Sequence, residues 1–147
     1  MRVRLARRRI LSALKHLMIK PRILVVDDEP NLSALVSLSL EKTQRFETRV
    51  ENRSAFALAA AREFLPDMIL LDVDMPGKDG GEVAREIEAD ASLGRTPILF
   101  FTSLISRDEA GQREVLRGGM RFLAKPVNPK VLVDTIDRIL AGQGVTA

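Results

Sequence analysis

The sequence predicts an α/β domain built on a doubly wound, five-stranded parallel sheet with helices on both faces. Strand-like and helix-like segments alternate from Arg22 onward, most strand-like segments are unbroken apolar runs, and the helix-like segments repeat apolar residues every three to four positions. A chain with this alternation returns through a helix after each strand, so its strands run parallel. The length of 147 residues suits one such domain with one core.

Each predicted strand segment ends at polar or turn-forming residues. RILVVDDEP is a β-branched run that stops at two acids and a proline. FETRVE alternates as a half-buried strand does, DMILLD and PILFFTS contain buried apolar runs, and MRFLAKP ends at a proline. In chain order these segments occupy residues 22–30, 46–51, 67–72, 97–103 and 120–126.

A predicted helix follows each strand. The first has Leu32, Val36 and Leu40 at helical spacing. The second is rich in alanine and opens with Ser54 as its expected N-cap, and the fourth ends in the pair Gly118–Gly119, which suits a C-cap. The predicted helices span residues 29–43, 54–64, 79–90, 106–119 and 129–142.

The composition excludes several kinds of site. The sequence contains no cysteine and one histidine, His16. Disulfides, thiolate metal sites, cysteine nucleophiles and sites with several histidine ligands are therefore excluded. Any metal must be bound by oxygen atoms, which favours a hard cation such as Mg²⁺. The lack of cysteine is compatible with a reducing compartment, and we expect the protein to be cytoplasmic.

Charge divides the chain into an arm and a domain. Residues 1–22 contain eight basic residues and no acidic one, whereas the remainder has fifteen basic and twenty acidic residues. The domain is therefore acidic, and we expect no direct DNA binding by it. We predict an N-terminal extension over residues 1–20, a domain over residues 21–141 and a tail over residues 142–147. This leaves no room for an output domain, so we expect the output to act through another protein.

The extension has the pattern of a basic amphipathic helix. Ala6, Ile10 and Leu14 share one helical face, and Arg8 lies on the opposite one. Such helices bind membrane surfaces or partner proteins, and this one is too short and too charged to span a membrane. Three interpretations stay open: a membrane-surface or partner-binding helix, a helix that docks on a second copy to make a homodimer, or residues upstream of a start at Met18.

Polar side chains stand at the carboxyl ends of the predicted strands. Asp27 and Asp28 follow the first strand, and the others end the third, fourth and fifth: Asp72, Thr102 and Lys125. In an open parallel sheet, ligands bind outside these ends. Three carboxylates in one crevice repel each other unless a cation offsets their charge. The set therefore predicts a site for Mg²⁺ and a phosphoryl group.

Each of these residues suits one role in phosphoryl transfer, which needs positioning and neutralisation of oxygen charge. Asp72 is the expected nucleophile, which forms an aspartyl phosphate. Asp27 and Asp28 are expected to hold Mg²⁺ with Asp72, partly through water, and the backbone carbonyl of Asp74 to complete the shell. Two further groups are expected to bind the phosphoryl oxygens: the hydroxyl of Thr102 and the ammonium of Lys125.

These strand ends resemble the motifs of bacterial response-regulator receiver domains. The matching stretches are ILVVDDEP, MILLDVDMPGKDG, PILFFTS and FLAKPVNP, and the resemblance runs from about Pro21 to about Leu140. Each motif alone is weakly specific, whereas the set in this order is specific. The resemblance implies the flavodoxin-like (βα)5 fold with strand order 2-1-3-4-5.

The resemblance also implies a mechanism. Receivers take a phosphoryl group, with Mg²⁺, from the phosphohistidine of a sensor histidine kinase or a histidine phosphotransfer protein, onto the acid that matches Asp72. The hydroxyl matching Thr102 then moves toward the phosphate, the aromatic residue matching Phe122 turns inward, and a protein-binding face changes. The Lys125–Pro126 bond is typically cis in this family. The chain is thus expected to be a stand-alone switch with an unknown protein target, and not an enzyme that turns over a metabolite.

Two other functions are the alternatives. The first is a phosphorylation-independent docking module with a receiver fold, which would not need the acid set. The second is a phosphatase like the haloacid dehalogenases, whose Asp-x-Asp motif follows the first strand, whereas Asp72 and Asp74 follow the third. For single residues, the structural alternatives are helix capping by Asp27 and Asp28 and a plain core role for Phe122.

Overall fold

The computed structural model describes residues 2–103 and 114–142, which form a sheet with helices on both faces. The sheet has six strands in the order β2-β1-β3-β4-β6-β5. Neighbours from β2 to β6 run parallel, and β5 pairs antiparallel with β6 at one edge. The strands are β1 Arg22–Val26, β2 Glu47–Glu51, β3 Met68–Asp72, β4 Ile98–Thr102, β5 Val115–Arg117 and β6 Met120–Ala124.

The helices begin and end close to the positions that the sequence predicts. A 3₁₀ turn, Ser54–Phe56, leads into the third of them. Pro30 opens the second helix, and the Asp79 side chain caps the fourth by accepting the Glu82 N–H at 2.9 Å. The helices are α1 Arg2–Met18, α2 Pro30–Glu41, α3 Ala57–Phe64, α4 Gly80–Ala89 and α5 Pro129–Leu140.

The sheet separates two apolar clusters because successive strand residues point to opposite faces. Ile23 and Val25 of β1 belong to the cluster beneath α2 and α5, while Leu24 and Val26 belong to the cluster beneath α3 and α4. Burial of a leucine, isoleucine or valine side chain contributes about 1.5–3 kcal/mol. The two clusters therefore fix which residues of each strand face which helices, and with them the register that aligns the strand ends.

The predicted fold class is confirmed, with one more strand than the sequence indicated. The strand order 2-1-3-4-5 corresponds to β2-β1-β3-β4-β6, and β5 is added at the edge. The prediction of a helix over residues 106–119 is wrong at its end, where Val115–Arg117 is a strand. Residues 106–113 of that prediction lie outside the described residues.

The Gly118–Gly119 pair explains the difference. Both residues have positive φ values, 57° and 79°, and they join Arg117 to Met120, which face each other in the antiparallel ladder. Two central residues with positive φ make the turn that matches the twist of a two-residue β-hairpin. The pair is therefore a hairpin turn and not the helix C-cap that the sequence suggested.

Ser54 does not cap a helix as predicted. Its hydroxyl donates to the carbonyl of Pro76 at 3.1 Å, and the residue is buried in the 3₁₀ turn ahead of α3. This bond ties the segment after β2 to the loop after β3. The prediction failed because the hydroxyl found a long-range acceptor, which a local capping rule does not consider.

Among the helices in the described part of the chain, none is both long enough and apolar enough to cross a membrane.

Gly80 marks the closest approach of α4 to β3. Its N–H donates to the Val73 carbonyl at 2.9 Å, and a Cβ added at Gly80 would lie 2.3 Å from the Asp72 carbonyl oxygen. We predict that Gly80→Ala lowers the free energy of unfolding by about 1–3 kcal/mol, because the first turn of α4 must move away from the strand. Urea denaturation of the purified protein measures this change.

Gly81→Ala is the matched control for that substitution. A Cβ at Gly81 meets side-chain atoms of Asp79 and Arg85, at 3.2 and 3.6 Å, and alanine favours the helix over glycine by about 1 kcal/mol. We expect a change within about 1 kcal/mol of zero. Equal losses in the two variants would show that the backbone contact at Gly80 is not the cause.

Candidate functional site

Four predicted site residues lie at the carboxyl edge of the sheet. Asp27 directly follows β1, Asp72 and Thr102 end β3 and β4, and Lys125 directly follows β6. Asp27, Asp72 and Thr102 are buried, and the side chain of Lys125 is 7% exposed. The parallel register makes these positions converge, since strands that run the same way end at the same edge.

The Lys125 ammonium joins the two buried carboxylates. Its Nζ lies 2.6 Å from Oδ2 of Asp27 and 3.4 Å from Oδ1 of Asp72, and 3.8 Å from Oε1 of the exposed Glu29. The Lys125–Pro126 peptide bond is cis, as the resemblance implied. The structure thus brings together the nucleophile, one acid and the cation that the sequence predicted for this site.

Four acids make one cluster at this edge. Asp27, Asp28, Glu29 and Asp72 each place a carboxylate oxygen within 4.8 Å of the others. Asp28 is half-buried and Glu29 is exposed, so the cluster opens toward solvent on one side. Oxygen atoms alone form this donor set, which is the preference of a hard cation such as Mg²⁺. The residues present therefore fit the predicted metal.

Burial and neighbouring charges change the pKa values of Asp72 and Lys125. Burial, with the neighbouring Asp27 charge, raises the pKa of Asp72 from 3.8 to about 6, and the Lys125 charge opposes this rise. Burial lowers the pKa of Lys125, but the hydrogen bond and charge of Asp27 and the charge of Asp72 outweigh it, so that pKa is raised. Lys125 therefore stays charged at neutral pH, while Asp72 carries an ionisation cost that a cation would relieve.

A polar network holds the turn that carries the first acids. The Asn52 side chain donates from Nδ2 to the Asp27 carbonyl at 2.7 Å and to the Ser33 hydroxyl at 2.8 Å. The buried Ser33 hydroxyl in turn donates to the Glu29 carbonyl at 3.0 Å, and the Glu29 N–H donates to Oδ1 of Asp27 at 2.9 Å. These bonds fix the backbone from Asp27 to Glu29.

Sequence reasoning missed Glu29 and Asn52. Glu29 directly follows the two predicted acids, and Asn52 directly follows β2. The rule that collects polar residues at the carboxyl ends of strands would have found Asn52 if it had also been applied to the second strand. Glu29 opens the predicted helix over residues 29–43, so the strand-end rule does not select it.

The other predicted residues have simpler surroundings. Asp74 is exposed in the loop after β3, and its N–H donates to Oδ1 of Asp72 at 3.3 Å. The Thr102 carbonyl accepts the Lys125 N–H at 2.8 Å. The Phe122 ring stacks on Phe100, with ring centroids 5.1 Å apart. The Asp74 carbonyl as a metal ligand, the Thr102 hydroxyl as a phosphate ligand and the switch role of Phe122 stay predictions.

A parallel five-stranded arrangement with an acid cluster and a lysine at its carboxyl edge is the architecture of a signalling receiver. The sequence model of the response regulator receiver domain matches residues 23–137. The chain belongs to this family.

The chain is similar to individual members over most of its length. It is 33% identical over 123 residues to Protein PilH of Pseudomonas aeruginosa, a match that covers 82% of this chain and 98% of that protein. It is 35% identical over 114 residues to the DNA-binding response regulator MtrA of Mycolicibacterium smegmatis, covering 78% of this chain but 48% of the relative. Among solved structures, chemotaxis protein CheY4 of Vibrio cholerae superposes with a TM-score of 0.70 at 29% identity, covering 82% of this chain and 99% of that one.

The acid cluster predicts a stability that depends on pH in the absence of metal. The pKa of Asp72 is about 6 in the folded protein and near 3.8 in an unfolded chain. The folded state therefore binds the proton more tightly, and the free energy of unfolding falls as the pH rises from about 4 to about 6. We predict that Asp72→Asn removes this fall and raises the free energy of unfolding at neutral pH by about 1–3 kcal/mol.

Urea denaturation in a chelating buffer at several pH values measures this effect. Asp74→Asn is the matched control, because it removes an exposed carboxylate from the same loop. We expect that variant to follow the wild-type pH dependence. If the free energy of unfolding of the Asp72→Asn variant and of the wild type depended on pH in the same way, the surroundings of Asp72 would not raise its pKa in the folded protein.

Proposed function

We propose that this protein is a phosphorylation-controlled signalling switch whose phosphoryl acceptor is Asp72. The observation that carries the proposal is the position of its carboxylate, buried at the end of β3, within the acid cluster and 3.4 Å from the Lys125 ammonium. A nucleophile beside a fixed cation and a set of oxygen ligands has what phosphoryl transfer requires. Membership in the receiver family supports the same assignment.

The acids of the cluster divide into a nucleophile and metal ligands. Asp27, Asp28 and Asp72 hold Mg²⁺ in the proposal, with the backbone carbonyl of Asp74 as a further ligand. When bound, Mg²⁺ supplies positive charge that offsets the carboxylates and the phosphoryl oxygens. Glu29 lies at the exposed side of the cluster and contributes negative charge there.

The reaction is a transfer between two proteins. A carboxylate oxygen of Asp72 attacks the phosphorus of a phosphohistidine, the P–N bond breaks, and its electron pair stays on the imidazole nitrogen of the donor. That nitrogen takes up a proton from solvent, so the products are an aspartyl phosphate and a free, neutral histidine. Lys125 stays protonated throughout and, with the Thr102 hydroxyl, receives the phosphoryl oxygens. The donor is a sensor histidine kinase or a histidine phosphotransfer protein.

The phosphoryl group would change a protein-binding face of the domain. Thr102 ends β4 and lies next to Ala124 in the ladder with β6, and Phe100 and Phe122 are a stacked pair on the same two strands. Movement of Thr102 toward the phosphate alters the space that the Phe122 ring can occupy. The downstream partner is a protein, and the chain turns over no metabolite. We place the protein in the cytoplasm, where such donors act.

The intact mass of the protein after incubation with acetyl phosphate and Mg²⁺ tests this proposal. We predict that the wild type gains one phosphate, that Asp72→Asn gains none, and that a chelator abolishes the gain. Asp74→Asn keeps the acceptor and the acid cluster, so we expect it to be labelled. A labelled Asp72→Asn variant would place the acceptor elsewhere, and an unlabelled wild type would favour a phosphorylation-independent docking module.

Lys125 provides a second test of the same site. We predict that Lys125→Met folds but accepts phosphate at least about tenfold more slowly, because the loss of the cation leaves the transferred oxygens and two buried carboxylates without its charge. The rate of mass gain at saturating Mg²⁺ measures this effect. Lys130→Met is the control, since Lys130 is an exposed lysine of α5. Equal rates in the two variants would remove Lys125 from the mechanism.

A further inference from the structure

Helix α1 presents apolar side chains to water. The side chains of residues 3–11 are all exposed, and Val3, Ile10 and Leu11 are exposed by 79%, 59% and 56%. A helix of this length gains most of its stability by packing an apolar face against something. Over residues 3–11, the structure leaves that face uncovered.

Arginines border this apolar face on both sides. Val3 and Ile10 are seven residues apart and share one face of the helix. Arg4 and Arg9 lie on the two flanks of that face, Arg8 lies on the opposite side of the helix, and Arg7 lies between Ile10 and Leu11. Residues 1–22 contain no acidic residue, so neither an intrahelical ion pair nor a neighbouring carboxylate of the arm offsets these charges. The helix thus combines an exposed apolar strip with a high density of uncompensated positive charge.

We propose that α1 binds the surface of an anionic lipid bilayer and lies in the plane of the interface. Val3, Ile10 and Leu11 enter the boundary between headgroups and acyl chains, and the arginines contact headgroup phosphates. The low overall hydropathy of an arginine-rich helix of this kind is typical of interfacial binding and not of insertion across the membrane. This assignment does not depend on phosphorylation of Asp72.

A bilayer accounts for both properties of the helix. A nucleic acid would neutralise the arginines but would leave Val3 and Ile10 in water. An acidic protein surface, such as the domain of a second copy, would also have to offer an apolar groove beside its acids. At the surface of an anionic bilayer, the negative headgroups lie a few ångströms from the apolar acyl chains. The arginines and the apolar side chains of the helix can therefore be satisfied together.

Helix α1 is joined to the domain at the end of β1 that lies away from the acid cluster. Residues 19–21 lead from α1 directly into the amino end of β1, where the Pro21 carbonyl accepts the Glu47 N–H at 3.0 Å. Asp27 follows the other end of β1, a distance of about 16 Å for five residues. The helix is therefore connected to the domain at the amino edge of the sheet, opposite the acid cluster. A bound protein can still meet its phosphoryl donor.

Flotation of the full chain with lipid vesicles tests the proposal. One set contains phosphatidylcholine and about 30% phosphatidylglycerol, and the other contains phosphatidylcholine alone. We expect partitioning onto the anionic vesicles to exceed that onto the neutral ones at least about tenfold at low salt. Because the attraction is partly electrostatic, it should fall strongly at about 0.5 M salt.

Variants separate the two parts of the helix. Ile10→Glu removes the apolar contact, and the double variant Arg4→Glu, Arg8→Glu removes the charge contact; each should lower partitioning at least about tenfold. Leu35→Glu is the matched control, because it makes the same kind of change at a leucine of α2 that is 60% exposed. That control should bind vesicles as the wild type does. All variants should gain one phosphate from acetyl phosphate, which reports on the folded site.

Several results would overturn the assignment. Absence of wild-type binding to anionic vesicles at low salt is one. An equal loss of vesicle binding in the Leu35→Glu control would also overturn it, since this loss would show a general effect of added negative charge. A dimer that Ile10→Glu dissociates, or duplex DNA bound in preference to vesicles, would assign the helix to a second copy or to nucleic acid. Phosphate uptake is measured separately from vesicle binding. A protein that does not bind lipid but gains phosphate would therefore contradict the membrane assignment and not the proposed switch.

Discussion

The contact of the Lys125 ammonium with the carboxylates of Asp27 and Asp72 is the interaction on which the site depends. Two buried carboxylates repel each other where little water screens them, and the buried cation between them reduces that repulsion. The chain makes this contact by bringing the ends of β1, β3 and β6 to one edge, with Lys125 reaching past the end of β4. The rest of the fold serves this alignment: the apolar clusters fix the register, the Asn52 network holds the first acids, and Gly80 lets α4 close over β3.

The sequence alone predicts the helices and strands whose buried residues repeat regularly along the chain. Apolar runs and the alternating segment FETRVE predict the parallel strands, and a rule about strand ends predicts Asp27, Asp72 and Lys125 as site residues. The remainder depends on long-range partners or on ambiguous local signals. A Gly-Gly pair suits both a helix C-cap and a hairpin turn, and only the pairing of β5 with β6 decides between them. Ser54 donates to Pro76 and Asn52 donates to Asp27, 22 and 25 residues away along the chain, so rules based on neighbouring residues do not predict these bonds.

The stacked pair of Phe100 and Phe122 links the acid cluster to the outer part of the sheet. Phe100 lies two residues before Thr102 on β4, and Phe122 lies three residues before Lys125 on β6. Both rings pack with the cluster beneath α3 and α4, and Phe122 also contacts the side of the sheet near Val115. In the proposed switch, these contacts would couple a change at the strand ends to the hairpin at the edge. In the proposed switch, the β4–β6 pair is the element that would carry the signal.

The two outer strands of the sheet also bear on solubility. A sheet edge exposes unpaired backbone groups that can recruit a strand from another molecule and begin aggregation. Here β2, at one edge, carries three charged residues among its five, Glu47, Arg49 and Glu51, and β5, at the other, is three residues long and ends in an arginine. Natural sheets avoid edge-to-edge association by placing charged residues on edge strands and by keeping edge strands short. The hairpin turn at Gly118–Gly119 thus ends the sheet with a strand too short to serve as a template.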